Sequence, residues 1–185
     1  RAGPALTQAR SDAGIAVLDD KIYLCGGCDD AQDAVSSVEV FDPQLNAWHA
    51  GPALGSARYF PGVAALGGKL YAVGGAGEEG ALSSVDIFDP QLGAWQSGPA
   101  LQGPRGNTGV AAFDGKLYAV GGYGNGISGN GIHLSSVEVL DPAVGSWQPG
   151  SPLPCAAPFC HAYALDGLLY LRGGLLEDAK IFVLD

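Results

Sequence analysis

The 185-residue chain contains no methionine and only nine lysine and arginine residues, against nineteen acidic ones. The formal net charge of −10 argues against nucleic acid or an anionic membrane as the main partner, because both require clustered positive charge. No uncharged apolar run approaches the roughly 18 residues that cross a bilayer, and Arg1 does not begin a signal-peptide pattern. Because even position 1 is not methionine, we expect the chain to be a processed or excised piece.

Glycine is abundant, with 30 residues, and a Gly-Gly doublet that follows a tyrosine-containing apolar run recurs at a spacing typical of repeat architectures. After each of the first three doublets comes an acidic apolar run that ends in Asp-Pro, and then a tryptophan. The doublets are Gly26-Gly27, Gly74-Gly75, Gly121-Gly122 and Gly173-Gly174, and the tryptophans are Trp48, Trp95 and Trp147. The chain is therefore one unit repeated.

This combination resembles the kelch repeat over essentially the whole chain. The resemblance implies an all-β, kelch-type β-propeller, in which each of the four blade-like repeats forms four antiparallel strands. The residues favour the same fold, since no helical periodicity occurs and Asp42-Pro43 ends a strand where proline lacks the N–H of a sheet ladder. We expect a single domain over residues 1–185, either a whole small ring or a partial propeller. Its repeats are 1–48, 49–95, 96–147 and 148–185, the last without its outer strand.

An arginine before the first strand and an acid in the third strand recur together in three repeats. They are Arg10 with Glu39, Arg58 with Asp86, and Arg105 with Glu138. The fourth repeat has Ala157 and Phe182 instead, and this joint loss favours structural pairs in which each arginine neutralises a poorly solvated carboxylate. In kelch substrate receptors, the resemblance implies, arginines at this position line the binding mouth and meet acidic peptide motifs. Both hypotheses stay open at this point.

The long loop from Tyr123 to Leu134 is a second candidate contact surface, because loops on a rigid scaffold often carry binding. A tolerated surface insertion is the alternative interpretation. Together the two features predict the following partner-binding residues: Arg10, Arg58, Tyr59, Arg105, Asn107, Tyr123, Asn125 and His133.

The cysteines invite a metal interpretation, which the repeat argues against. Cys25 and Cys28 have C-x-x-C spacing, but Cys25 occupies a strand position that valine holds in the next two repeats. Zinc sites need four converging ligands, whereas Cys155 and Cys160 lie in a different repeat. We predict no metal and no cofactor. Reduced thiols are expected of a cytoplasmic protein, with a disulfide between the second pair as the minor alternative.

The sequence therefore predicts a binding module and no enzyme, because the three histidines form no recognised catalytic arrangement. We expect a protein or peptide ligand, with an acidic motif as one option, and neither nucleic acid nor membrane. The resemblance favours the substrate-recognition propeller of a cullin-type ubiquitin ligase adaptor in the cytoplasm. The alternatives are an actin- or cytoskeleton-binding kelch protein and a carbohydrate-binding or sialic-acid mutarotase-type propeller.

Overall fold

The computed structural model describes residues 3–124, 132–173 and 180–184. These residues form strands, turns and loops without any helix, and so contain no helix able to cross a membrane. Four antiparallel sheets follow one another along the chain, one for each repeat. This architecture confirms the predicted all-β fold of successive blades.

Blades one and two have four strands each, and blade two also has a short hairpin in its loop. Blade one consists of β1 (Gly14–Leu18), β2 (Lys21–Cys25), β3 (Val38–Asp42) and β4 (Ala47–Gly51). Blade two contains β5 (Gly62–Leu66), β6 (Lys69–Val73), the hairpin β7 (Ala76–Gly77) and β8 (Gly80–Ala81), then β9 (Val85–Asp89) and β10 (Ala94–Ser97).

Blade three repeats this plan, whereas blade four has three strands in the described part of the chain. Blade three contains β11 (Gly109–Phe113), β12 (Lys116–Val120), the pair β13 (Tyr123–Gly124) and β14 (Ile132–His133), then β15 (Val137–Asp141) and β16 (Ser146–Pro149). Blade four contains β17 (His161–Leu165), β18 (Leu168–Gly173) and β19 (Lys180–Leu184). The sequence-based repeat boundaries after residues 48, 95 and 147 fall inside β4, β10 and β16, because they were placed at the tryptophans.

Each blade opens with a tight two-residue hairpin. In blade one β1 pairs with β2 so that Leu18 lies opposite Lys21, and Asp19 and Asp20 both have positive φ. Two consecutive left-handed residues form the turn whose twist matches that of paired strands. The equivalent turns of the other blades, at 67–68, 114–115 and 166–167, have the same backbone signs. The sequence therefore defines four hairpins by local turn chemistry alone.

The first strand of each blade is its inner strand: β1, β5, β11 and β17. The inner strands of successive blades pack closely around a shared channel. A Cβ atom at Gly14 would overlap Cγ2 of Val63, and one at Gly62 would overlap Cγ2 of Val110. Glycine at these positions lets neighbouring blades approach, and apolar side chains fill each of the three interfaces. The indole of Trp147, which is buried, donates from Nε1 to the Pro99 carbonyl at 2.9 Å and ties its blade to the preceding loop.

The two ends of the blades differ in their connections. The end that we call the turn end carries the hairpin turns. The opposite end, called the loop end, carries the loops that enter each inner strand, such as 52–61, and those between second and third strands, such as 26–37. All the sequence-predicted contact residues that the structure describes belong to the loop end or lie directly beneath it.

Candidate functional site

Arg58 lies beneath the loop end and is completely buried, with no exposed surface. Its guanidinium donates to the carbonyl oxygens of Gly74 at 2.9 Å and Ser84 at 3.1 Å, and to Oδ2 of Asp86 at 3.0 Å. The hydroxyls of Ser56 and Ser84 accept two further bonds. This arginine therefore ties the first glycine of the doublet, the third strand and its own loop together.

The same arrangement recurs in blades one and three. Arg10 contacts Oε1 of Glu39 at 3.0 Å, and Arg105 contacts Oε1 of Glu138 at 2.9 Å. Each arginine also donates to the carbonyl of the first glycine in its doublet, at 3.0 Å in blade one and 3.2 Å in blade three. The sequence predicted these ion pairs because repeat four lacks both the arginine and the acid, and the structure contains them in the other three blades. In blade four the arginine position is occupied by Ala157, which is also buried.

Burial and hydrogen bonding oppose each other at these pairs. Burial by itself would raise the pKa of Glu39, but the backbone N–H groups of Thr7 and Gln8, with the charge of Arg10, outweigh it and lower that pKa. Burial lowers the pKa of Arg58, whereas the negative charge of Asp86 acts to raise it.

Because the guanidinium groups lie inside the blades, a ligand would meet the loops that they support. A direct part for the arginines in recognition stays a prediction.

A left-handed backbone recurs at the loop end two residues after each arginine position. Asp12, Phe60, Asn107 and Phe159 occupy equivalent places and all have φ between 51° and 57°. Left-handed backbone is uncommon for bulky residues, and each such residue costs about 1–3 kcal/mol, so it persists only where its surroundings impose it. Strain of this kind concentrates at binding and catalytic sites.

Backbone hydrogen bonds link these four loops in sequence around the channel. The N–H of Phe60 donates to the carbonyl of Asp12 at 2.7 Å, and the N–H of Asn107 donates to that of Phe60 at 3.2 Å. The N–H of Cys160 donates to the Asn107 carbonyl, also at 3.2 Å. The loops therefore form one connected support, which we call the channel mouth.

A cavity of about 360 Å³ opens at the channel mouth between the inner strands of all four blades. Its lining includes all four of the left-handed residues, together with the first residues of the inner strands. Tyr163, on the inner strand of blade four, is 60% exposed and adds another ring to the wall. The volume falls in the range of small-ligand or side-chain sites, roughly 300–1,000 Å³.

Aromatic rings frame the channel mouth in two groups. The rings of Tyr59 and Phe60 contact edge to face, with centroids 5.3 Å apart. Across blades three and four, Tyr123 contacts His133 at 5.2 Å and Phe159 at 5.1 Å in the same manner. Phe159 remains 40% exposed, and partial burial raises the pKa of both tyrosines. The rings offer apolar surface that is already fixed in place for a ligand.

Four of the predicted residues thus meet at the loop end: Tyr59, Asn107, Tyr123 and His133. Asn125 lies outside the described residues. Sequence reasoning missed Asp12, Phe60 and Phe159, although they hold the same position in their repeats as Asn107, which was predicted. The signal that could have found them is their position two residues after the arginine, or after the alanine that replaces it.

The cysteines do not form a site in the described part of the chain. All four are free thiols, and only Cys155 is exposed. Burial raises the pKa of Cys25 to about 12 and that of Cys160 to about 11, which keeps both protonated. Within the described ranges, no three His, Cys, Asp or Glu side chains are grouped so that they could hold a metal ion.

Comparison with known proteins agrees with this architecture. The kelch motif matches residues 9–55, 57–102 and 104–154, which together make up most of the chain. Three F-box/kelch-repeat proteins of Arabidopsis thaliana are similar to it: two are 42% identical, over 50 and 48 residues, and one is 44% identical over 46 residues. The matched stretches cover 25–27% of this chain and only 11–13% of those relatives. The chain belongs to the kelch-repeat family.

Proposed function

We propose that the chain is a protein-interaction module whose channel mouth binds a segment of a partner protein. The hydrogen-bonded series of left-handed loops is the observation that carries the proposal. It holds partly exposed aromatic rings around a cavity, and a rigid scaffold presenting aromatic side chains is typical of protein-binding surfaces. A binding role of this kind requires no reactive side chain, so the proposal includes no enzymatic activity.

We further propose that this module recognises substrates for a cullin-type ubiquitin ligase. The similar Arabidopsis proteins are named F-box/kelch-repeat proteins, and this favours a ligase adaptor over the cytoskeletal and carbohydrate alternatives. A cytoplasmic location remains part of the same prediction.

The test compares captured proteins between two matched variants. A Tyr59→Ser/Phe159→Ser variant removes two rings from the channel mouth, whereas Leu45→Ser removes a side chain that is 72% exposed at the turn end. Circular dichroism must first show that both variants are folded. We expect the turn-end variant to retain the partner and the channel-mouth variant to lose it. Equal capture by both would refute binding at the channel mouth.

The ligase role has a separate readout. A partner captured through the channel mouth should be ubiquitinated, and should accumulate in cells when the unaltered protein is removed. A partner whose abundance and ubiquitination do not respond would refute the adaptor role and leave the binding proposal standing.

A further inference from the structure

We propose that the segment bound at the channel mouth is basic and inserts a lysine or arginine side chain into the cavity. This inference rests on the proposed function and names its ligand class. The arginines favoured an acidic peptide motif when only the sequence was considered, whereas this proposal assigns a basic one.

The arginines do not supply positive charge to the loop end. Each is paired with its own carboxylate at 2.9–3.0 Å and has a side chain that is at most 4% exposed. A paired and buried charge contributes little potential outside the protein, and displacing the internal carboxylate would leave it buried and unpaired. An acidic ligand therefore gains little from these three residues.

The cavity offers the groups that a cation prefers. Asp12 is one of the lining residues, and its exposed carboxylate lies at the edge of the cavity. The carboxylate accepts hydrogen bonds from the Ser11 hydroxyl at 3.0 Å and the Cys28 thiol at 3.6 Å, and no base contacts it in the described residues. Phe60, Phe159 and Tyr163 line the same space. Aromatic faces attract lysine and arginine side chains, and a nearby carboxylate adds a direct ion pair.

The surrounding loops of blades one and two extend the negative charge. Their exposed acids at the loop end are Asp30, Asp33, Glu78 and Glu79. The hairpin lysines lie at the opposite end, where each faces an acid: Lys21 with Asp42, Lys69 with Asp89 and Lys116 with Asp141. Arg172, an exposed base at the loop end, belongs to blade four, so these exposed acids are concentrated over blades one and two. Such a field attracts and orients a basic segment.

Panning the full chain against a phage library of random nine-residue peptides tests this assignment without knowledge of the natural partner. We expect the selected peptides to be enriched in lysine and arginine over aspartate and glutamate. Binding of a selected synthetic peptide, measured by fluorescence anisotropy, should weaken with added salt. It should also weaken roughly tenfold in Asp12→Asn, which keeps the shape and the left-handed backbone but removes the charge.

The control is Asp114→Asn, which removes an exposed carboxylate with the same left-handed backbone at the turn end. It should bind the peptide as the unaltered chain does. Selected peptides that are acidic or neutral, or binding equal in Asp12→Asn and the unaltered chain, would overturn the basic-ligand assignment. If such peptides still required Phe159, the proposed binding at the channel mouth would stand. Peptides that bind independently of Phe159, or a library with no enrichment, would overturn both.

Discussion

Replacing Arg58 by methionine is expected to destabilise the protein strongly, because it leaves a buried carboxylate without its partner. Arg58 has no exposed surface, and Asp86 is only 5% exposed. After the substitution Asp86 would keep the N–H donor of Gly55 at 3.1 Å but lose the guanidinium at 3.0 Å. Removing one member of a buried ion pair costs about 3–5 kcal/mol. In a chain of this size the thermal midpoint should fall by about 10 °C.

A double substitution separates the cost of an unpaired charge from that of lost packing. Arg58→Met with Asp86→Leu removes both charges and keeps apolar volume, and such replacements are often neutral or stabilising. The fourth repeat supports this expectation, since it has Ala157 and Phe182 at the corresponding positions. We therefore expect the double variant to be clearly more stable than Arg58→Met alone.

Urea denaturation followed by tryptophan fluorescence provides the measurement. Transition midpoints are compared directly if the repeats unfold in more than one step. Lys21→Met is the control, because the Lys21 side chain is 40% exposed and its solvent-screened ion pair with Asp42 should contribute little to stability. The reasoning is refuted if Arg58→Met costs no more than Lys21→Met, or if the double variant is as unstable as the single one.

Three further predictions address packing, acid stability and thiol reactivity. Gly62→Ala should destabilise by about 1–3 kcal/mol in the same denaturation assay, because its Cβ would overlap the next blade, whereas Gly103→Ala, with no atom within 4 Å, should be near neutral. The folded-state pKa of Glu39 is lowered, so its stabilisation is present above the ordinary value of 4.5 and is lost as the pH falls through the folded-state pKa. Stability measured against pH should therefore fall below about pH 4.5, and less steeply in Glu39→Gln; parallel curves would contradict this assignment. Iodoacetamide should label Cys155 rapidly and the three buried cysteines slowly in the native protein, as read by mass spectrometry, and four equal rates would contradict the burial.

Much of the fold is predictable because its determinants are local. The glycine doublet that follows a tyrosine-containing strand and the Asp-Pro that ends the third strand each determine the backbone within a few residues of their own position. The two left-handed residues at 19–20 likewise form their hairpin without help from the other blades. Comparison between repeats also predicts contacts between residues distant in the chain. Because Ala157 and Phe182 replace the arginine and the acid together, the sequence alone indicates that the arginine and the acid form ion pairs in the other repeats.

The sequence by itself determined the period, the strands and the partnership of each arginine with its acid, because repetition exposes which residues vary together. Only the tertiary structure decided that the guanidinium groups lie inside the blades and that Asp12, Phe60, Asn107 and Phe159 form one linked channel mouth. These residues are far apart in the chain and meet only when successive blades pack. The sign of the charge presented there follows from the same packing, which neutralises the arginines internally and leaves the loop acids of blades one and two exposed.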